Sequence, residues 1–230
     1  HASINMINEE KPTVFGVQEA KADQMAYLVE NLPEYGHIGV GREDGKSGGE
    51  HMSIFYRKDQ VELLDGGTFW LSETPDECSK GWGAGNYRTA TWGIFEHIPT
   101  GKKFCYINTH LDHKVEEAKI GGMKLIVERF KAYNTEGLPQ FLTGDLNVLS
   151  NHKALDVLKG YMDNTREVAP SDKTDFDPTY NAYKPEGSSI IDHVYCTTGM
   201  QVVEYHTINE DYGVPFVSDH YPVYADIIMK

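Results

Sequence analysis

The stretch "FVSDHYPVYADI", residues 216–227, places an acid and an imidazole side by side at the entrance to an apolar strand. We predict that this strand spans 221–228 and follows a tight Ser-Asp-His turn. Asp219 and His220 are either polar residues of an ordinary turn or functional groups at the end of a buried strand. Because one pair is compatible with both, the deciding feature is whether other strands also end in such groups.

The composition predicts one folded core and disfavours several classes of protein. Of the 230 residues, 40% are hydrophobic and 11% aromatic, which suffices for one sizeable core. The net charge of −14, from 35 acidic and 21 basic residues, disfavours loose electrostatic binding of nucleic acid and leaves acids for a cation site. Three cysteines predict neither a disulfide framework nor a zinc pattern. No segment reaches the roughly 18 apolar residues of a membrane span, so we expect no stable insertion into a membrane.

Hydrophobic periodicity predicts strands and helices along a single domain, 1–230. The predicted helices cover 2–10, 22–32, 114–133 and 151–159, and the predicted strands cover 13–18, 36–41, 51–57, 61–70, 89–97, 103–109, 139–143, 190–196, 201–208 and 221–228. Since hairpins are mixed with crossover helices, the pattern favours two sheets packed face to face with helices outside. The loop 164–188 is not interpreted as a linker, because too little chain follows it to form a second core.

Five hydrophobic strands carry an acid, an amide or an imidazole at or near one end. Taken singly, each is explained by a helix cap or a turn, where Asp and Asn are common. The groups in chain order are Gln18 and Glu19, then Asn108, His110 and Asp112, then Asp145 and Asn147, then Asp192 and His193, and finally Asp219 and His220.

Taken together, these groups predict one site. If the strands lie side by side, Glu19, Asp145, Asp192 and Asp219 converge. Two carboxylates about 4 Å apart repel by about 4 kcal/mol at an effective dielectric near 20, so a cluster of four requires a cation, protons or a histidinium. Oxygen ligands favour Mg²⁺ or Mn²⁺ over zinc. Imidazoles transfer protons near neutral pH, and with a metal they form the apparatus for displacement at phosphorus.

The ordered motifs resemble those of the endonuclease/exonuclease/phosphatase (DNase I-like) superfamily. They are "QE" at 18–19, "NTHL" at 108–111, "GDLN" at 144–147, "IIDHVY" at 190–195 and "SDHYPV" at 218–223. A sixth stretch, "GEHMSIFYRKDQVELLD", resembles a strand of the deoxyribonuclease branch with a buried Glu seven residues before an Arg, here Glu50 and Arg57. The resemblance implies an α+β fold, a four-layer sandwich of two packed mixed sheets flanked by helices.

The resemblance also implies a role for each matched residue on the metal side. Glu19 is expected to be the principal metal ligand. Asp219 is expected beside the metal, as a direct ligand or through water. His220 is expected to contact the scissile phosphate or to act as general base, oriented by Asp192. Mg²⁺ or Mn²⁺ is the implied cofactor.

On the phosphate side, the resemblance implies that His110 contacts the phosphate or the leaving group and is oriented by Glu50. Asp145 would orient or deprotonate the attacking water, or protonate the leaving oxygen. Asn147 would hold a phosphate oxygen. Arg88, in "NYRTATW", is either a further phosphate contact or a member of a surface salt bridge, a common state of exposed Arg.

Two further expectations concern the first strand of the domain and the cellular location of the protein. Family members usually begin with a strand that ends in Asn beside the metal, so we expect the domain 1–230 to lack this strand and to have an altered sheet edge and an incomplete metal shell. The loop style of "VGREDGKSGGE" and "FWLSETPD" resembles bacterial members of uncharacterised substrate, many of them exported. An exported, periplasmic or extracellular location is therefore expected.

The leading functional hypothesis is a divalent-metal-dependent phosphodiesterase or phosphatase that acts by in-line attack of water. A small phosphoester is favoured as substrate, because the acidic surface disfavours a long duplex. A secreted nuclease is the alternative in the same class, since acidic members of the family cut DNA with the help of cations. A catalytically silent binding domain and a calcium-stabilised adhesion module are the alternatives from other classes. The sequence predicts no oligomeric state.

Overall fold

Helices and strands follow one another along residues 1–229, the part of the chain that the computed structural model describes. The α-helices are α1 (Ala2–Glu10), α2 (Ala22–Asn31), α3 (Glu116–Tyr133) and α4 (Thr165–Val168), and a 3-10 helix spans Lys153–Leu158. The strands are β1 (Val14–Gly16), β2 (Tyr35–Ile38), β3 (Ile54–Arg57), β4 (Val61–Trp70), β5 (Thr89–His97), β6 (Lys102–His110), β7 (Gln140–Asp145), β8 (Met162–Asn164), β9 (Asp192–Thr197), β10 (Gln201–Thr207) and β11 (Val223–Ile228).

The largest sheet has six strands in the order β4-β5-β6-β7-β9-β8. Its strands are antiparallel except for β6 and β7, which are parallel. Parallel neighbours need a crossover connection, and α3 supplies it. The sheet is therefore mixed, with its parallel pair at the centre.

A second layer covers one face of this sheet and consists of two antiparallel ladders, β1-β3-β2 and β10-β11. The first ladder packs through Ile54 against Phe95 and Tyr106 of the six-stranded sheet. The second packs through Tyr205 against Cys196. Burial of these side chains between the layers removes apolar area from water, which is the main stabilising contribution to a sandwich.

Helices cover the two outer faces. One face of α3, including Met123, Ile126 and Phe130, packs on the outer face of the six-stranded sheet, as its 3.6-residue periodicity predicts. On the opposite side, Ile4 of α1 and Met25 of α2 pack in a cluster around β1-β3-β2. The order of layers is helix, sheet, sheet, helix, which confirms the predicted α+β four-layer sandwich.

Several predicted boundaries differ from the structure. The predicted loop 164–188 begins with the end of β8 and contains α4, because its first residues pair with β9 and then pack on β10. The predicted strand 51–57 pairs regularly only over β3, with an isolated bridge at His51. The predicted helix 151–159 is a 3-10 helix. The second layer was expected to be mixed, whereas both of its ladders are antiparallel.

Across residues 1–229, none of the helices combines the length and the apolar character that a membrane crossing requires.

Candidate functional site

Three neighbouring strands of the six-stranded sheet place one polar side chain each in a single row. His110 of β6 is the register partner of Asp145 of β7, and Asp145 is the register partner of Asp192 of β9. Side chains alternate between the two faces of a strand, and Tyr106 and Cys196 of the same strands face the second layer. By this alternation all three row residues point to the inner face, at one end of the sandwich.

Short contacts join this row to His220. Asp192 Oδ2 lies 2.7 Å from His220 Nδ1, so this carboxylate accepts a hydrogen bond from Nδ1–H and fixes the orientation of the ring. Asp145 Oδ2 lies 3.3 Å from His110 Nε2 and 3.9 Å from His220 Nε2. Asp145 therefore sits between two imidazoles, and the predicted convergence of these groups is present in the structure.

Glu19 approaches the row from the loop that follows β1. Its Oε1 lies 3.7 Å from His110 Nδ1, and its side chain is 58% exposed. Its backbone adopts a positive φ of 60°, a left-handed conformation that is uncommon for a residue with a side chain and that recurs at functional sites. The strain is consistent with a carboxylate that is directed into the site rather than into solvent.

The inner face of β6 holds the Glu19 loop in place through Asn108, which is fully buried. Asn108 Nδ2 donates to the carbonyl of Val17 at 2.8 Å and to that of Ser53 at 3.1 Å. Its Oδ1 accepts from Gln18 Nε2 at 2.7 Å. A Cβ on Gly16 would lie 2.2 Å from Asn108 Oδ1, so only glycine permits this approach of the two layers. Asn108 is thus a structural link rather than a group that faces substrate.

The turn that carries Asp219 is fixed by the segment 179–182. The amides of Asn181 and Ala182 both donate to the carbonyl of Asp219, at 2.8 and 3.0 Å. The side chain of Asn181 donates to the carbonyl of Ser218 at 3.1 Å, and Asn181 is only 1% exposed. The turn therefore depends on a segment that lies almost forty residues earlier in the chain.

The same segment also holds the start of β9. Thr179 Oγ1 accepts from the amides of Ile191 and Asp192, each at 3.0 Å, and Thr179 is fully buried. The carbonyl of Thr179 accepts from the amide of Tyr221. One short segment therefore positions both members of the Asp192–His220 pair.

Asn147 lies just after β7, next to Asp145 of the site. Its amide donates to Asp145 Oδ1 at 2.8 Å, and its side-chain Nδ2 donates to the carbonyl of Leu111 at 3.0 Å. Its φ of 52° is a left-handed conformation that Asn tolerates. The second N–H of the side chain is left for another acceptor.

Arginine side chains lie next to His110. Arg88 is 5% exposed; its Nη2 lies 3.0 Å from His113 Nδ1, and its Nε lies 3.6 Å from Asp112 Oδ2. It is therefore buried beside the site, and the surface salt bridge considered from the sequence does not form. Glu50 was expected to orient His110, but its ion pair is with the buried Arg42, Oε2 to Nη1 at 2.5 Å. The role predicted for Glu50 stays a prediction.

The clustered charges shift the pKa values of these groups. Burial and the charge of Asp192 raise the pKa of Asp145 to about 7. Burial lowers the pKa of His220, but the hydrogen bond and charge of Asp192, with the charge of Asp145, outweigh it and raise that pKa to about 9. Burial and the nearby Arg88 hold the pKa of His110 well below its usual value. At neutral pH the site then contains a charged His220 and a neutral His110.

The acidic groups form a cluster in which a cation fits. Partial burial, followed by the charges of Glu50 and Asp219, raises the pKa of Glu19, while the charges of His220 and Arg88 act in the opposite direction. Among the described residues, Asp145, Asp192 and His220 also bring ligand atoms within 4.8 Å of one another. Two of those atoms share the 2.7 Å hydrogen bond, so we favour the Glu19 side of the cluster for a metal. Oxygen donors there suit a hard divalent cation.

Three residues of the site were not identified from the sequence: Arg42, Thr179 and Asn181. Arg42 lies in the turn-rich "GREDG", and the other two lie in a loop that is rich in Asp, Pro, Thr and Ser. Such residues are ordinary in loops, and no local pattern separates them from their neighbours. Their role depends on contacts with residues far away in the sequence.

The sequence and the fold match those of known proteins. The model of the Endonuclease/Exonuclease/phosphatase family matches residues 4–220. A mannosyl-6-phosphatase from Bacteroides thetaiotaomicron VPI-5482 is 36% identical, with a TM-score of 0.92, over 99% of this chain and 89% of that one. An endonuclease/exonuclease/phosphatase from Bacteroides vulgatus is 34% identical, with the same TM-score and the same coverage.

More distant structures share the fold alone. The catalytic domain of human Nocturnin with a bound sulfate anion is 14% identical, with a TM-score of 0.77, over 99% of this chain and 84% of that one. A search of curated proteins found no match. Since the family model spans nearly the whole chain and the ordered motifs meet in one site, the chain belongs to the Endonuclease/Exonuclease/phosphatase family, whose members are phosphoester hydrolases.

Proposed function

We propose that this protein is a divalent-metal-dependent hydrolase of a small phosphoester, with a phosphorylated sugar as the favoured substrate. The observation that carries the proposal is the row of His110, Asp145 and Asp192 beside His220 and Glu19. This set brings together an acid that would hold a cation, a fixed imidazole and a buried carboxylate. It is the combination that hydrolysis at phosphorus requires.

Glu19 and Asp219 would hold the cation. Both are acids of the cluster, and the charge of Asp219 contributes to the raised pKa of Glu19. Such a cation supplies Lewis-acid polarisation of the phosphate oxygens. Mg²⁺ and Mn²⁺ are the ions that these oxygen donors favour.

The remaining residues bind the phosphate and manage protons. Asp192 holds Nδ1 of His220, which leaves Nε2 directed toward Asp145 and available to donate to a phosphate oxygen. Asp145, buried between two imidazoles, is placed to orient an attacking water and to accept its proton. The second N–H of Asn147 and the guanidinium of Arg88 would contact the phosphate, since both are donors at this end of the sandwich.

Two observations favour a small, phosphorylated sugar. The net charge of −14 opposes a long polyanion. The relative that is 36% identical over 99% of the chain is a mannosyl-6-phosphatase. A hydrolase for a small, singly phosphorylated sugar agrees with both.

The test is release of phosphate from mannose 6-phosphate, of p-nitrophenol from bis-p-nitrophenyl phosphate and of nucleotides from single-stranded DNA, each with Mg²⁺ or Mn²⁺ and with EDTA. We expect turnover of the sugar phosphate that EDTA abolishes. We expect Asp145→Ala and His220→Ala each to lower kcat/KM by about 10²- to 10⁴-fold, the range for loss of a proton-transfer group. His97→Ala, which changes a half-buried histidine at the end of β5, is the matched control.

Three outcomes decide the proposal. Turnover that persists in EDTA contradicts the metal requirement. Equal activity of Asp145→Ala and the control contradicts the assigned site. Cleavage of DNA without cleavage of mannose 6-phosphate replaces the sugar phosphate by a nuclease substrate.

A further inference from the structure

Two arginines near His110 each keep a buried N–H group that has no hydrogen-bond partner among the described residues. In both Arg42 and Arg88 this group is Nε. Arg42 is 8% exposed and Arg88 is 5% exposed, so water has little access to either donor. Buried donors without a partner are uncommon in folded proteins, and a bound ligand is one source of the missing acceptor.

The neighbours of these arginines do not use the two Nε–H groups. Glu50 Oε2 pairs with Nη1 of Arg42 at 2.5 Å. Asp112 Oδ2 lies 3.6 Å from Nε of Arg88, which is beyond hydrogen-bond distance, and His113 Nδ1 lies 3.0 Å from Nη2 of Arg88. Each guanidinium therefore has an acidic neighbour and an unused donor.

The backbone brings Arg42 close to the loop that carries Glu19. His51 forms isolated antiparallel bridges with both Ala20 and Gly41. The residue after Glu19 and the residue before Arg42 therefore flank the same position of the segment between them. Neighbouring strands lie about 4.8 Å apart, so the two outer segments are about 10 Å apart.

Electrostatic effects also place Arg42 among the residues of the site. Burial and then the charge of Arg42 lower the pKa of Arg88. Burial, followed by the charges of Arg88 and Arg42, lowers the pKa of His110. The charge of Glu50, which pairs with Arg42, acts on Glu19. The Arg42–Glu50 pair therefore lies near the residues that would bind the phosphate and the cation.

We propose that Arg42 and Arg88 together bind the third non-bridging oxygen of a phosphomonoester and thereby select monoesters over diesters. This assignment rests on the proposed function and names the type of ester that is cleaved. A monoester has three non-bridging oxygens and about two negative charges at neutral pH, and guanidinium groups bind such oxygens through charge-assisted hydrogen bonds. In a diester an ester group takes the third position, where it is a poorer acceptor and leaves the two buried donors unpaired.

The test compares two compounds with the same leaving group, the monoester p-nitrophenyl phosphate and the diester methyl p-nitrophenyl phosphate, each with Mg²⁺ or Mn²⁺. We expect Arg42→Gln to lower the ratio of kcat/KM for the monoester to that for the diester by about 10- to 100-fold, the range for loss of a hydrogen bond to a charged group. Arg57→Gln is the matched control and should leave the ratio unchanged, because Arg57 pairs with the exposed Asp59.

Two further variants cover a loss of folding, because Arg42→Gln leaves Glu50 without its ion pair. Arg42→Lys keeps the charge and the pair with Glu50, but it has no Nε–H and only one nitrogen. The double variant Arg42→Gln/Glu50→Gln removes both charges of the pair. Circular dichroism identifies which of the three variants fold, and each folded variant should show the lower ratio.

An unchanged ratio in the folded variants overturns the assignment, while turnover by the wild-type protein leaves the proposed function standing. A wild-type preference for the diester also overturns the assignment. If the wild-type protein hydrolyses neither compound nor mannose 6-phosphate, the proposed function fails, and calorimetric titration with inorganic phosphate then tests the arginines. Binding of phosphate that Arg42→Lys weakens and Arg57→Gln retains supports the assignment, whereas no binding, or equal binding by these two variants, overturns it.

Discussion

The candidate site has a strand half, whose residues belong to β-strands, and a loop half, whose residues belong to loops. Different interactions hold the two halves in place. His110, Asp145 and Asp192 belong to adjacent strands whose backbone pairing sets their spacing. Glu19, Asp219 and His220 lie on connections, and they are held by Asn108 and by the segment 179–182. The strand half is rigid by its pairing, whereas the loop half depends on a few buried hydrogen bonds. A change in either half is therefore expected to act in a different way.

The largest effect is expected where the two halves meet, at Asp192. Asp192→Asn removes the charge that holds His220 protonated and oriented, while it keeps the shape of the side chain. We expect kcat to fall about 10²- to 10⁴-fold. The melting temperature should change little, because loss of the ion pair with His220 opposes the relief of the repulsion between Asp192 and Asp145. Steady-state kinetics and calorimetry measure the two quantities.

Asp226→Asn is the control for this change, since Asp226 is an acid of β11 outside the row. Activity of the Asp192 variant within a few-fold of this control would contradict the assignment of Asp192 to the site. A large loss of stability would show that the row is held by its charges rather than by its strand pairing.

An intermediate effect is expected in the loop half, at Asn181. Asn181→Ala removes a donor to the carbonyl of Ser218 and an acceptor for the amide of Tyr183. Loss of buried hydrogen bonds costs about 1–3 kcal/mol of unfolding free energy. We expect kcat/KM to fall about tenfold, by the 1.4 kcal/mol rule, because the turn of Asp219 shifts. The metal concentration for half-maximal activity should rise, because Asp219 is a proposed ligand.

Asn209→Ala is the control for Asn181→Ala. Asn209 is exposed, and among the described residues its side chain bonds only to Asp177. The control variant should leave both kinetic quantities near the wild-type values. If Asn181→Ala lowers stability but leaves the metal dependence unchanged, the segment 179–182 stabilises the fold without positioning the site.

The smallest effect is expected at His206, which helps to anchor the loop half from outside the site. Its Nε2 lies 2.8 Å from Glu210 and its Nδ1 lies 3.3 Å from Asp175, in the loop that leads to the segment 179–182. Burial lowers the pKa of His206, but its bond to Glu210 and the acidic neighbours raise it above 6.5. The pair therefore contributes stability below pH 6.5, and this contribution is lost as the pH rises through the higher folded-state pKa.

We expect about 0.5 kcal/mol from these half-exposed pairs. Urea unfolding at pH 6 and pH 8 should show that the difference in unfolding free energy between wild type and His206→Gln is larger at pH 6. A difference that is equal at the two pH values, or larger at pH 8, would contradict the ion pairing of His206.

The strand half was predictable because its pattern is local. The side chains of a strand alternate with a period of two, so "FCYINTH" and "FLTGD" indicate which residues share a face with His110 and Asp145. The α3 helix was predictable for the same reason, through its 3.6-residue period. The ordered motifs then indicated the family, which the comparisons confirmed. The export of the protein, its missing first strand and the roles of the individual site residues stay predictions.

For the loop half, the sequence predicted which types of residue enter the site but not which contacts they make. Glu50 is an example: its ion pair with Arg42 could not be inferred from the spacing of residues, and its role in orienting His110 stays a prediction. Arg42 reaches the site only because the loop after β2 folds against the start of β3, and Thr179 reaches it only because its loop returns to β9. The position of Arg42 or Thr179 in the site cannot be predicted from the spacing of neighbouring residues in the sequence.

The sequence alone predicted two packed sheets with helices outside and the groups that enter the site, since apolar periodicity and residue chemistry are local properties. The tertiary structure alone decided which acid meets which imidazole and which arginines are buried beside them. Those features depend on the packing of segments distant in the chain, where a shift of a few ångströms changes a hydrogen bond into no contact.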